Sequence, residues 1–596
     1  MKKLFALLLA VVLVFGLVAC GAPAQQAGNP NASTATVKPT TPEEIEAAQA
    51  EIRYAVGLLL DRNYIVESVS QAGEKPANSF VADGMADLNG GNFAANANGG
   101  KGYYSVDKAQ FQANFDEAVT ILKKYYDFDG TKFVGFPTLN YIYNTNDGHK
   151  AIAEYIQGAL SNVGISMNLE NQEWNTFLNT RKEGNYSVAR NGWVADYTDP
   201  ICFLDMWVTA SGNNDVQFGK GAHADLKIYD LDLTKWGYET KVEKGTWAET
   251  YDVLISTIKA CTDDETRFEL MHLAEDMLMA TGCLTPVYYY TDLYMINPAV
   301  KGFYSIPLGY KYFQNTTVEG KTSLPVCLAS EPDTIDPALN SAVDGATMLT
   351  HLFAGLAKWA QAEDGTLSVV ADCAEELVEG VTNDDGTVTY TYTLRDGLKW
   401  SDGKAMSAKD FEFAWKRAAS TELGADYGYM FEVIKGYGTD NKDDLAVKAI
   451  DDKTLEVTLS NAVAYWNELL AFPTYFPVRE DVVADEKWAT EADTYVCNGA
   501  YTITAWEHDS VITMTKNEAY YDAANVTMPE LKFYLSDDAN NMLTNYKNGD
   551  WLLIDDVPTN EIAALKTEYP EEFVIAGQIG TYYVCWNVNE SLLPKA

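Results

Sequence analysis

The chain has 596 residues, of which 47% are apolar, with 13 Trp, 37 Tyr and 23 Phe and a formal net charge of −42. That length exceeds a single core and predicts two or three packed units, and the apolar fraction excludes a solvated, disordered chain. Acidic residues spread along the whole sequence exclude a nucleic-acid partner, which needs clustered Lys and Arg, and read as a well-solvated surface.

Lys2 and Lys3 precede an apolar run to Val18, which ends at Ala19-Cys20-Gly21. This is the pattern of a bacterial lipoprotein signal over residues 1–20, too short for a comfortable membrane span. Cys20 is the expected lipidation site, and its acyl chains would hold the protein at the outer face of the cytoplasmic membrane. Residues 21–40 are rich in Ala, Gly, Pro, Gln and Thr and predict a flexible tether.

Thr41-Pro42-Glu43-Glu44 carries the signals of a helix start, and the helical pattern continues to about residue 69. Strand-like and helical segments then alternate, predicting an α/β class. Strands are expected at 133–143, 166–169, 186–193 and 285–293, and helices at 148–162, 173–182 and 267–280. The second half predicts strands at 324–329, 387–394, 454–459, 500–505 and 511–515. Asn383-Asp384-Asp385-Gly386 forms a hairpin turn, and a serine-capped helix spans 407–419. No short-period repeat is present, so a solenoid is excluded.

Catalytic and metal signatures are missing. No HExxH, GxSxG, Walker loop or GxGxxG occurs, so neither an enzyme nor a cofactor is expected. Asp127-Phe128-Asp129-Gly130 lacks the later glutamate of a calcium loop and reads as a turn. Beyond Cys20, cysteines 202, 261, 283, 327, 373, 497 and 585 have no CxxC spacing, and buried free thiols are expected, with one or two bridges left open.

The chemically distinctive stretch is 144–200. His149 and Lys150 fall at a helix N-terminus, whose free N–H groups favour an anion. Arg181 and Arg190 follow, suited to planar contact with a carboxylate. Asp196, in Trp193-Val194-Ala195-Asp196-Tyr197, is a carboxylate among aromatics, a good partner for an ammonium group. Together they would suit a zwitterion such as an extended peptide. Each arginine equally reads as a structural ion pair, and Asp196 as a turn or cap residue.

Ser330-Glu331-Pro332-Asp333-Thr334-Ile335-Asp336-Pro337, Leu394-Arg395-Asp396-Gly397-Leu398-Lys399-Trp400-Ser401-Asp402-Gly403, Asn498-Gly499-Ala500-Tyr501 and the run from Asn171 to Pro200 resemble the bacterial oligopeptide-binding proteins of peptide ABC importers, the solute-binding proteins of family 5. The resemblance covers nearly all of residues 42–596, but with the halves exchanged: residues 317–346 resemble the opening of a mature family member. The chain is therefore read as circularly permuted, in the restored order 319–596 then 41–318.

The resemblance implies a two-lobed, periplasmic-binding-protein-like α/β fold (type II, three-domain form). Residues 41–290, completed by 581–596, would be a peptide-clasping lobe. Residues 291–353 and 479–580 would form the core of the first lobe, and 354–478 its accessory domain. Asp196 would bind the peptide amine, and Arg181, Arg190, His149 and Lys150 the carboxylates of peptides of different lengths. Trp174, Trp193, Gly192, Tyr290 and Tyr429 would wall the site. Ser341 stands where some members have an acid. The implied function is a monomeric, non-enzymatic, lipid-anchored receptor passing oligopeptides to an ABC permease. The alternatives are a non-peptide ligand (metal chelate, glycan or haem) on the same fold, or a secreted hydrolase.

Overall fold

The computed structural model describes Asn29, residues 31–439 and residues 441–594. The expected signal with Cys20, and residues 21–28 and 30 of the expected tether, lie outside the described residues. The rest of that tether is pinned to the body, a correction to the expectation. Ser33 bridges Phe128, and the N–H groups of Thr36 and Val37 donate to the Lys124 carbonyl at 3.0 and 2.8 Å. The short strand at Asp127–Phe128 has an open edge, and residues 33–37 fill it.

Helix α1 spans Pro42–Leu58 and starts on a capping box in which the Thr41 side chain and the Glu44 carboxylate satisfy each other's N–H groups. It ends earlier than its sequence pattern, because Asp61 caps a separate turn. Strand β1 (Leu139–Asn144), helix α2 (Asp147–Asn162), strand β2 (Met167–Gln172), helix α3 (Trp174–Lys182) and strand β3 (Val188–Val194) follow as an alternating unit. Helix α4 (Asp264–Ala280) leads into the long strand β4 (Leu284–Ile296).

The second half contributes strand β5 (Ser323–Ala329) and helix α5 (Val343–Leu352). Strand β6 (Val388–Thr393), helix α6 (Ala408–Ala418) and strand β7 (Thr454–Leu459) then form part of a separate four-stranded unit. Strands β8 (Tyr501–Glu507), β9 (Val511–Lys516), β10 (Glu530–Leu535), β11 (Leu553–Ile554) and β12 (Phe573–Trp586) complete the chain.

One eleven-stranded sheet runs through the molecule in the order β8-β9-β10-β5-β11-β4-β12-β3-β1-β2, with Lys75–Pro76 added on β4. β4 and β12 are long enough to belong to both halves of it. Their register shifts twice: Val287 is an extra residue between Pro286, which faces Tyr583, and Tyr288, which faces Tyr582, and farther on Tyr289 faces Thr581 while Thr291 faces Gly577. Three residues of β12 thus oppose Tyr290 alone, a bulge that bends the paired strands between the two halves. The four-stranded unit is tied to the β5 side by a two-point ion pair, with Arg417 donating to Asp336 at 3.0 and 2.6 Å.

Cysteines 202, 261, 283, 327, 373, 497 and 585 are free and buried. Among the described residues no helix is long and apolar enough to cross a membrane.

Candidate functional site

A cavity of about 430 Å³ lies between the two halves of the sheet. Strand β3 forms one wall. Its alternation leaves Arg190, Gly192 and Val194 half-buried, facing the cavity, between buried neighbours. The Ala195 N–H donates to the Ile579 carbonyl at 2.8 Å, which fixes the odd-numbered residues as those whose main-chain groups face β12. β1 pairs only with Val188 and Ala189. The main chain at Val194 therefore has an open edge toward the cavity, as does the Gly192 carbonyl, whereas the Gly192 N–H donates to Asn191 Oδ1 at 2.8 Å. Gly192 is needed there, since a methyl group at this position would overlap the Tyr290 hydroxyl.

Asp196 follows the strand and is 7% exposed. Its Oδ1 accepts a hydrogen bond from the Tyr427 hydroxyl at 2.9 Å, whereas its Oδ2 is buried without a partner. Burial pushes its carboxyl well above the usual carboxylate range, against the Tyr427 hydrogen bond, and Asp205 adds to the rise. A buried carboxylate oxygen without a partner is costly, and an ammonium group would relieve that cost.

Arg190 Nη2 donates to the Tyr290 hydroxyl at 3.3 Å, and its guanidinium lies 5.3 Å from the Tyr582 ring centre. Its ionisable neighbours are tyrosine hydroxyls, neutral at pH 7, and among the described residues it has no acidic partner. Arg181 differs. It reaches the cavity from the last turn of α3 but pairs with Asp215 at 3.5 Å, donates to the Asn191 side chain and covers the Phe177 ring. Its charge is already matched.

His149 lines the cavity near the start of α2, where Asn146 caps the helix by accepting the His149 N–H at 3.0 Å. Burial, aided by Arg190, holds its imidazole well below the usual range, so it is neutral at pH 7. Lys150 is exposed and off the cavity wall, a correction to the expected set. Successive helical residues point about 100° apart, so His149 facing inward turns Lys150 outward.

Trp174 and Trp193 both line the cavity. Trp174 is half-buried, whereas Trp193 is anchored by its Nε1–H donating to the Cys202 carbonyl at 3.0 Å. Tyr290 lines the wall at the bulge between the crossing strands. Tyr429 does not line it. It is buried toward Lys259, 5.7 Å from its ring centre, and Tyr427, two residues earlier, takes the place expected for it. Sequence reasoning also missed Lys182, on the cavity wall, and Asp426, which pairs with it at 2.6 Å. The only signal for Tyr427 is its membership of the tyrosine pair Tyr427-Gly428-Tyr429.

Among the described residues no cluster of three or more His, Cys, Asp or Glu is placed to hold a metal ion. The arrangement is suited to binding: two buried carboxyl groups with an unpartnered oxygen, Asp196 and Asp344, one guanidinium without an acidic partner among the described residues, an open strand edge and aromatic walls.

A family model described as "Bacterial extracellular solute-binding proteins, family 5 Middle" matches residues 43–215 and 369–595. The chain is 36% identical over 265 residues to the oligopeptide-binding protein OppA of Bacillus subtilis, covering 42% of this chain and 46% of that one. It is 30% identical over 276 residues to a probable deoxycholate-binding periplasmic protein, YgiS, of Escherichia coli, covering 44% and 49%. It thus spans about half the length of these curated relatives. Among solved structures, Listeria monocytogenes OppA bound to peptide is 31% identical, with a TM-score of 0.36, covering 39% of this chain and 46% of that one.

Proposed function

Because this chain belongs to the bacterial extracellular solute-binding proteins of family 5, whose members bind solutes rather than transform them, we propose that it captures oligopeptides between its two lobes and delivers them to an ABC permease. The observation that carries this reading is the buried, unpartnered Oδ2 of Asp196 on the same cavity wall as Arg190. Asp196 receives the peptide amine and Arg190 its carboxylate, while Gly192 and Val194 offer main-chain groups to an extended ligand as a strand edge does. Asp196 and Arg190 are six positions apart, at most about 20 Å, which suits a peptide of about six residues or fewer. Arg181 is a positioning group held by Asp215.

A ligand with a carboxylate and no amine, such as the bile acid in the name of the E. coli relative, would use Arg190 but leave the Asp196 oxygen bare. The buried carboxylate therefore favours peptides. Lipid attachment through Cys20 places the receptor beside its permease. The exchanged order of the halves is supported by the packing of residues 588–592 on α1, where the Leu592 N–H donates to Gln49 at 3.1 Å and Arg53 donates to the Val588 carbonyl at 3.3 Å. A chain rebuilt with residues 319–596 ahead of 41–318 should bind the same ligands.

The test of the peptide reading is mass spectrometry of small molecules released when the purified protein is denatured. Peptides with free amino termini and mixed sequences are expected. Bile acids, sugars or metal chelates in their place would overturn it.

A further inference from the structure

Three carboxylates of the unit spanning residues 381–469 cross to the lobe that carries Asp196. Asp426 Oδ2 lies 2.6 Å from Lys182 Nζ, and the Ser341 hydroxyl, which donates to Asp426 at 2.9 Å and accepts from Lys182 at 3.0 Å, closes the triangle. Glu432 lies 2.9 Å from Lys259 Nζ. Glu468 accepts the Thr198 N–H at 2.7 Å and the Thr198 hydroxyl at 2.5 Å. Thr198 lies two residues from Asp196, Lys182 lies with it on the cavity wall, and Lys259 sits behind Tyr429. All three acids move with the opposite lobe, because the Arg417–Asp336 pair fixes their unit to it.

We infer that Asp426, Glu432 and Glu468 form a latch that assembles when the lobes close and sets how long they stay shut around a ligand. The inference rests on the reading above in placing the ligand between the lobes, but the latch itself is made of protein groups alone.

Its construction suits reversible use. Lys259 is the most buried of the cations involved, and it also holds Asp205 of its own lobe at 3.1 Å. When Glu432 withdraws, Lys259 keeps one acid and is not left as a bare buried charge, the situation that makes breaking a buried pair so costly. Lys182 and Thr198 reach water on opening. Among the described residues, the far end of the cavity has no comparable ion pair between the lobes. There the lobes meet through the Asn146 amide donating to Asp556 at 2.7 Å and the Asn540 amide donating to Asp147 at 3.3 Å. The grip is therefore concentrated around Asp196, and these residues act as positioning groups.

The test uses the full chain with Asp426→Asn, Glu432→Gln and Glu468→Gln combined, which preserves shape and removes charge. Small-angle scattering without ligand should show a larger radius of gyration than the parent. Stopped-flow tryptophan fluorescence with trialanine should show dissociation faster by about tenfold, as three partly exposed contacts imply, with the association rate within about twofold. The exchanged pair Lys182→Glu with Asp426→Lys should restore a slower dissociation than Asp426→Lys alone, a rescue that loss of folding would not give. An unchanged radius of gyration and dissociation rate in the triple variant would overturn the latch, as would a charge exchange without rescue. If the parent does not bind trialanine, the peptide reading fails and the scattering comparison still decides the latch.

Discussion

The Tyr427 hydroxyl donates to Asp196 Oδ1 at 2.9 Å across the gap between the lobes, so the carboxylate proposed to receive the peptide amine is oriented by a residue of the opposite wall. Oδ2 remains open to a ligand. Replacing Asp196 with Asn should weaken trialanine binding by roughly 10- to 150-fold, the loss of one charge-assisted hydrogen bond of about 1.5–3 kcal/mol. N-acetyl-trialanine should bind weakly to both proteins and lose nothing further. Titration calorimetry of the four combinations measures this, and equal losses for both peptides would contradict the assignment.

Binding should also move a proton. Burial raises the Asp196 carboxyl, and an incoming ammonium stabilises its charged form and lowers it again. Peptide binding therefore releases a proton from Asp196, and affinity rises with pH through the range in which the empty site is protonated. The rise ends where the ligand's own amine deprotonates, at about 8. Calorimetry in buffers of different ionisation enthalpy should detect the released proton, and Asp196→Asn should abolish it.

At the other end, Arg190→Met should weaken peptides with a free carboxylate about 10-fold or more while leaving C-terminally amidated peptides little changed. Lys150→Ala, on an exposed helix face, should leave both unchanged. Competition against a fluorescent peptide separates the two effects.

The bulge between the crossing strands sets a stability prediction. A methyl group at Gly580 would lie 2.8 Å from the Trp193 carbonyl oxygen and 2.8 Å from the Tyr290 ring, and the carbonyl belongs to a paired strand that cannot swing aside. Gly580→Ala should cost about 1–3 kcal/mol in urea unfolding.

Glu275 is fully buried, accepts the N–H groups of Phe80 and Val81, and is pushed up to about 8 by that burial. A carboxyl raised on folding binds more protons folded than unfolded, so its contribution is full below the unfolded value and is lost as pH rises through 8. The melting temperature of the ligand-free protein should therefore fall between pH 5 and pH 8, and Glu275→Gln should flatten that fall. A profile of unchanged slope in the variant would remove Glu275 from the account.

Much of the architecture was legible because local chemistry and tertiary packing agreed. The strand expected at 454–459 is found there, and Ser407 caps its helix with Asp410 as the serine-capped pattern implied. The strand expected across 133–143 breaks in two, because Gly135 takes a φ of 81° and Pro137 cannot join a ladder. In the site, the strand carrying Arg190 was legible, but nothing periodic distinguishes Tyr427 from Tyr429 in a 3₁₀ segment. Lys182 with Asp426, and Asp196 with Tyr427, lie more than 230 residues apart in sequence. Pairings of that kind depend on how the lobes meet, which no local pattern encodes.

Tyr290 stands at the larger of the two breaks in the β4–β12 pairing, where three residues of β12 oppose it, and a swing of the halves that bends at this bulge would have its axis beside it. Atoms on a pivot travel least. The Arg190–Tyr290 corner should thus keep its shape when the molecule gapes, while the distant jaw sweeps through the largest arc. A peptide's tail could then find a ready-made seat before its head is enclosed, which gives capture a direction: carboxylate first, amine last.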